Sequence, residues 1–293
     1  VFEDHNQKVK TLIGSTFAYG TYERYQTALK HLKDFVTWKY NRNDFFLHEI
    51  DHEFITEYDF YLRSVRKCNN NTAVKYIKNF GKIIKYSIAN AWIDKNPFLN
   101  FKMKLNKVDR GYLTKDELTV IVEKHFSINR LEQVKDVFLF QCFTGLAYCD
   151  VSKLTRECIA YDDKKILWLK TKRTKTDTAV NVPLLPGAIQ IIEKYSNNHS
   201  GKLLPVPSNQ KLNAYLKEIG ELCGINKRLS CHLARHTFAT TVTLANGISL
   251  ESVSKMLGHT NLTTTKIYAR MLDSRVLDEM QLLHKKLNNK KES

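Results

Sequence analysis

His232-Leu233-Ala234-Arg235-His236, Leu257-Gly258-His259 and Thr264-Thr265-Lys266-Ile267-Tyr268 fall late in the 293-residue chain and decide how the rest of it is read. On a helix, residues three apart share a face, so His232 and Arg235 present an imidazole and a guanidinium that can converge on one anion. Tyr268 comes nine residues after His259. Upstream, Thr174-Lys175-Thr176 leads into a strand ending Val182-Pro183-Leu184. Taken singly, each segment is ordinary. A lone histidine is usually a satisfied polar residue, a hairpin lysine is usually solvated, and Tyr268 is one of 14 tyrosines. Their order and spacing together make a set suited to phosphate chemistry.

Outward from this set, apolar spacing predicts helices at about 115–125, 131–145, 187–196, 208–222, 233–246, 249–257 and 262–268. A β-rich patch lies between them at 158–161, 165–170 and 179–183. Thr114-Lys115-Asp116-Glu117 reads as a capping box that opens the first of these helices. Before it, the stretch from Asn96-Pro97 to Arg110-Gly111 is short, polar and basic, a linker that places a domain boundary near 105–110. The first hundred residues are helical in pattern. Tyr25, Leu29, Leu32, Phe35 and Val36 stripe one helix (22–40), a second runs over 55–65, and Val74, Ile77, Ile84 and Ile88 stripe a third (72–90). On another face of the third, Lys75, Lys78, Lys82 and Lys85 recur at helical spacing. After Tyr268, Leu272, Val276, Met280, Leu283 and Leu287 outline an amphipathic tail within about 270–293.

Composition narrows the partners. Lys and Arg number 46 against 30 Asp and Glu, a formal net charge of +16, which points to a polyanion, nucleic acid before a membrane surface. From Arg63 to Lys104 there are ten basic residues and one acid, Asp94, so the lysine stripe lacks the acids that usually intersperse a solvated face. No apolar run approaches the ~18 residues of a membrane span. The six cysteines are scattered without a CxxC pair, which argues against a disulfide framework or a structural zinc site and fits a reducing cytosol.

The run Lys175…His232-x-x-Arg235…Gly258-His259…Tyr268 closely resembles the catalytic signature of the tyrosine site-specific recombinases, the phage-integrase family. In detail, Phe143-Thr144-Gly145-Leu146-Ala147-Tyr148 and Arg173-x-Lys175-Thr176 are most similar to integrases of Bacteroidetes conjugative transposons and related mobile elements. The resemblance implies a mainly α protein. Residues 1–105 would be a helical, SAM-like core-binding domain, and 106–293 an α+β catalytic domain with a small antiparallel sheet and a helical tail. Such integrases commonly carry a further arm-binding domain, expected here upstream of Val1.

The implied activity is site-specific integration and excision of a mobile element in the bacterial cytoplasm, with no cofactor, no metal and no membrane. Tyr268 would attack a scissile phosphate to give a 3′-phosphotyrosyl link and a free 5′-hydroxyl. A phenol with a pKa near ~10 needs a base, and His232 is the candidate. Arg235 would hold non-bridging oxygens, Lys175 would protonate the leaving oxygen, and His259 would add a hydrogen bond. The partners implied are double-stranded core sites, further copies of the chain in a tetramer on DNA, and DNA-bending accessory proteins. Lys75, Lys78, Lys82, Lys85 and Lys172 are the candidate DNA contacts. The two domains are expected to clamp the duplex, and the tail to dock in trans on a neighbour.

One position departs from the family. The first catalytic arginine usually opens the helix after Thr-Gly-Leu, and here that place holds Ala147; the accessory acid three residues on is present as Asp150. Loss of such a donor typically costs about 3–4 kcal/mol. Arg173 is the expected replacement, because two residues before Lys175 in an extended strand both side chains would point the same way. Arg110 and Arg156 are weaker candidates. Two other functions stay open: a type IB topoisomerase-like nicking and closing enzyme, and a catalytically silent DNA-binding regulator.

Overall fold

Short polar side chains start two of the four helices of the first unit, Val1–Val108. In the computed structural model, which describes residues 1–108, 110–196, 201–269 and 280, this unit holds α1 (Phe2–Thr11), α2 (Tyr19–Tyr40), α3 (His52–Ser64) and α4 (Asn70–Ala89). The side chains of Asp51 and Asn69 cap α3 and α4 by accepting from Phe54 N–H and Thr72 N–H. Phe35, Phe54, Ile55, Tyr58, Leu62, Ile77 and Ile84 form the core, with Phe35 against Phe54 and Tyr58 at ring distances of 5.1 and 5.2 Å. On α4 the apolar stripe is inside while Lys75, Lys78, Lys82 and Lys85 are all exposed. Apolar periodicity misses α1, since only Phe2 and Val9 of its ten residues are buried apolar side chains. After α4 the chain is irregular, and the amides of Asn70 and Asn71 hold the carbonyls of Lys104 and Asn106.

The second unit runs from Asp109. Thr114 and Glu117 form the capping box of α5 (Lys115–Glu123). Next, α6 (Asn129–Thr144) buries residues on every side and ends at Gly145, whose φ of 71° suits glycine at a helix C-terminus. A single short turn, α7 (Tyr148–Val151), starts with Ala147 as its N-cap.

The three strands β1 (Ile159–Tyr161), β2 (Leu167–Lys172) and β3 (Ala179–Pro183) form an antiparallel sheet in the order β1-β2-β3. The register Leu169↔Val182 and Thr171↔Val180 turns Leu169, Val180 and Val182 inward. There follow α8 (Pro186–Lys194), α9 (Asn209–Leu222), α10 (Cys231–Thr237), α11 (Leu250–Met256) and α12 (Lys266–Ala269).

Two expectations need correction. The helix foreseen over 233–246 is three pieces: α10, a π-helical turn at Phe238–Thr243 and a 3-10 turn at Leu244–Asn246. The cause is its threonines. Thr243 Oγ1 donates to the carbonyls of Phe238 and Ala239, and Thr241 Oγ1 donates to Leu113 O. Leu113 N–H in turn donates to Thr237 Oγ1, so both backbone polar groups of Leu113 are bound to threonines of this segment. Likewise, 262–268 divides into a 3-10 turn at Leu262–Thr264 and α12. The amphipathic tail anticipated after Tyr268 lies outside the described residues.

Candidate active site

Arg235 organises the site from inside. It is 5% exposed and spans two helix ends: Nη1 donates to Gly145 O at 2.6 Å and Nη2 to Leu257 O at 2.5 Å. Gly145 and Leu257 are the C-caps of α6 and α11, where carbonyls lack helical partners and the dipole favours a cation. Burial, with Arg173 nearby, pushes the guanidinium pKa down to about 10, opposed by Tyr268 and Asp150, so it stays charged at neutral pH.

His259 is placed by the glycine before it. Gly258 has φ 62°, and a Cβ there would meet Val180 Cγ2 at 2.7 Å, so the chain turns where only glycine fits. His259 Nε2 lies 3.1 Å from Arg235 Nη2, and its Nδ1 lies 2.8 Å from Thr265 Oγ1. A guanidinium only donates, so Nε2 accepts and Nδ1–H donates to the threonine. Burial first, then the charges of Arg235 and Arg173, depress the His259 pKa to about 4, and the ring is neutral at pH 7.

Tyr268 is 3% exposed and sits between two imidazoles. His236 meets it at 4.9 Å and 89°, and His259 lies nearly parallel to it at 6.4 Å. Burial raises the phenol pKa, while Arg235, Arg173 and Arg110 pull the other way. His232, exposed at the rim, turns Nε2 to His236 Nε2 at 3.0 Å. Partial burial of the ring on its inner side lowers its pKa, as do the charges of Arg110 and Arg235.

Arg173 reaches this cluster, although not by the route foreseen. The extended strand meant to align it with Lys175 ends at Lys172, and 173–178 is a turn closed by Arg173 N–H to Thr178 O at 2.8 Å. The Arg173 guanidinium folds inward and donates to Gly258 O at 3.3 Å, close enough for its charge to be felt by Arg235, His259 and Tyr268. Lys175 stands exposed on the turn, and among the described residues no hydrogen bond joins it to Tyr268, Arg235 or His259. Asp150, 3% exposed, holds the root of that turn by accepting from Thr174 N–H at 2.8 Å. Arg156 is engaged elsewhere, on the carbonyls of Tyr195 and Ser196. Lys172 is paired loosely with Asp177 at 3.7 Å on the surface. Lys82 donates to Tyr25 Oη at 3.1 Å, unlike the other three lysines of its stripe.

Sequence reasoning gave no role to His236, Thr265 or the two helix-end carbonyls. The four-residue spacing of His232 and His236 was the available signal for the first. Among the described residues no cluster of His, Cys, Asp or Glu could hold a metal ion, and no helix is long and apolar enough to cross a membrane.

Residues 112–275 match the phage integrase family, and residues 1–104 match the phage integrase SAM-like domain. The chain belongs to the phage integrase family. A tyrosine recombinase of Thermosipho africanus is 26% identical over 219 residues, 72% of this chain and 76% of the relative. Lambda integrase, solved as a dimer bound to a core site, shares the fold at TM-score 0.73 and 16% identity, covering 92% of this chain and 94% of that one. Its tetramer bound to a Holliday junction gives TM-score 0.72 at 15% identity, with 91% and 76% covered. The Tn1549 transposon integrase, in complex with a circular intermediate DNA, aligns at TM-score 0.71 and 14% identity over 91% and 94%.

Proposed function

We propose that Tyr268 is the nucleophile with which this tyrosine recombinase breaks and rejoins DNA. The observation that carries the reading is the buried phenol held among Arg235, Arg173 and two imidazoles, on the family's own order of residues. Tyr268 Oη attacks the scissile phosphorus, its proton passes to His232, and the bond to the 5′-oxygen breaks. Lys175 swings on its turn to protonate that oxygen. The ester to Tyr268 keeps the bond energy, so a partner strand's 5′-hydroxyl reverses the step and seals a new joint. Arg235 is already held by carbonyls, so it meets the growing phosphorane charge without reorganising. With Tyr268 at 3% exposure, attack requires α12 to shift toward the phosphate.

Arg173 takes over from the cation that Ala147 cannot supply. It comes from the β2–β3 turn and reaches the same cluster. Asp150 keeps that turn seated.

The substrate is double-stranded core-site DNA, met by Lys75, Lys78, Lys85 and Lys172 as well as by the active site, and the active assembly is a tetramer, as for lambda integrase. DNA-bending proteins assist it. Segments 143–148 and 173–176 favour an integrase of a Bacteroidetes conjugative transposon, acting in the bacterial cytoplasm. An apolar groove of about 510 Å³, lined by Leu118, Leu185, Phe238, Val242, Ile248 and Met256, is offered to residues 270–293 of a neighbouring copy.

The test is covalent capture. Wild type and Tyr268→Phe are incubated with a pool of nicked duplexes of randomised core sequence and quenched in detergent. An adduct formed by wild type and absent from Tyr268→Phe establishes the nucleophile. An adduct that survives the substitution refutes it.

A further inference from the structure

His236 stands between the two side chains that exchange a proton in the reaction above. It follows His232 by one turn of α10 and is 5% exposed. The two Nε2 atoms are 3.0 Å apart, with the ring centroids at 4.5 Å. On its other flank lies Tyr268, perpendicular at 4.9 Å. Arg235, the residue before it, turns to Gly145, Leu257 and His259 and also reaches the hydroxyl of Tyr268. His232, His236 and Tyr268 therefore form one row from the rim of the site to its buried nucleophile.

An N–H···N contact needs one protonated and one bare nitrogen, so the two rings share a single proton along that line. When His232 Nε2–H donates to His236 Nε2, the bare nitrogen of His232 is Nδ1. A proton taken up at Nδ1 makes an imidazolium whose other N–H already has an acceptor. A partner behind a histidine selects its tautomer, aims the ring and strengthens it as a base. An exposed histidine without such a partner is free to turn.

We propose that His236 is a positioning residue that orients His232 as the base by accepting from its Nε2 and seats the ring of Tyr268 against its own. The proposal rests on the reading of His232 as proton acceptor. As α12 shifts toward the phosphate, Tyr268 leaves the face of His236, and as the bond from its Oη to phosphorus forms the phenolic proton goes to His232 Nδ1. The Nε2 proton of His232 stays in the bond to His236, which neither gains nor loses a proton. On resealing, His232 returns its proton to Tyr268.

Two measurements test this. Imidazole nitrogen NMR of the DNA-free protein at mildly alkaline pH is expected to show a coupling across the Nε2–Nε2 hydrogen bond with the proton on His232. No coupling, or the proton on His236, overturns the proposal. Adduct formation in a single turnover is then followed on a nicked duplex captured by wild type from a randomised pool. His236→Phe, which keeps an aromatic wall but no acceptor, is expected to slow it about 10- to 100-fold without weakening DNA binding. His236→Gln places a carbonyl oxygen near the lost Nε2 and restores most of the rate, whereas His236→Asn falls short. Equal rates for the Gln and Asn variants, or wild-type rate in His236→Phe, sink it, and the Gln–Asn comparison holds even where the Phe variant folds poorly. His232→Ala separates the two readings. If it cleaves at wild-type rate, the base assignment fails and takes the proposal with it; if it is slow while His236→Phe is fast, only the proposal fails.

Discussion

Arg235 donates to His259 Nε2 across 3.1 Å, and this contact makes His259 an acceptor. To serve a phosphate, His259 must exchange that role for a donor's. What steadies the ring is Thr265, whose hydroxyl binds Nδ1 at 2.8 Å and whose carbonyl accepts the Tyr268 N–H at 3.0 Å. Thr265→Val keeps the shape and removes the oxygen. Adduct formation is expected to fall by roughly tenfold, with a stability loss of about 1–3 kcal/mol from the unpaired buried N–H. Thr265→Ser restores both. Quench-flow rates and a melting curve check them.

Arg173→Ala is expected to lower the cleavage rate by about 10²–10³-fold, the typical cost of one donor to a developing oxyanion. Arg173→Lys recovers only part, since an ammonium lacks the planar fork. Unchanged cleavage in Arg173→Ala would reduce Arg173 to a backbone contact.

The Arg173 side chain also shows where sequence stops being informative. Its distance from Lys175 suggested a shared strand face, yet β2 ends one residue earlier and a turn carries both. What draws Arg173 inward is the Gly258 carbonyl, 85 residues away, and no local pattern announces that. Arg235, His259 and Tyr268 could be singled out because their spacing resembles a family signature, and the structure brings the three side chains together. His236 and Thr265 were in plain view in the same segments, but their roles come from ring distances that helical periodicity does not specify. The helices of the first unit were legible where apolar stripes ran long, and α1 was not, with two buried apolar side chains in ten residues.

Glu132 should contribute to the acid sensitivity of the second unit. Burial alone would raise its pKa, but hydrogen bonds from Lys194, Lys135 and Phe126 N–H bring it to about 2, below the ordinary 4.5. A depressed carboxylate pKa stabilises fully above pH 4.5, and that contribution is lost as pH falls toward 2. Glu132→Gln should cost on the order of 2–3 kcal/mol at pH 7 and flatten stability between pH 4.5 and 2. Denaturant titrations across that range provide the comparison.

The lysines of α4 should not be equivalent. Replacing Lys75, Lys78 or Lys85 by Gln is expected to lower the slope of log affinity against log salt by about 1 each, if each neutralises one phosphate. Lys82, held by Tyr25, should change it less. Titrations on one captured duplex at several salt concentrations decide.

Deleting residues 272–293 should abolish strand exchange while leaving duplex binding within a few-fold of wild type. Equal losses in the two assays would place the tail on its own subunit. Substituting Val242 or Met256 by Asp in the groove should reproduce the exchange defect.

Asp150, holding Thr174 N–H at 2.8 Å, and the Arg173–Thr178 pairing together anchor both feet of the turn that carries Lys175. On the reading of Lys175 as the proton donor, the lysine is a tethered reagent. Its reach is set by its own four-carbon stem and a few residues of backbone, so it stays at high effective concentration around the site between encounters. Such a donor can leave the leaving oxygen after each transfer and come back to it. Reversible strand transfer needs that return, because the same side chain must give its proton in one direction and reclaim it in the other.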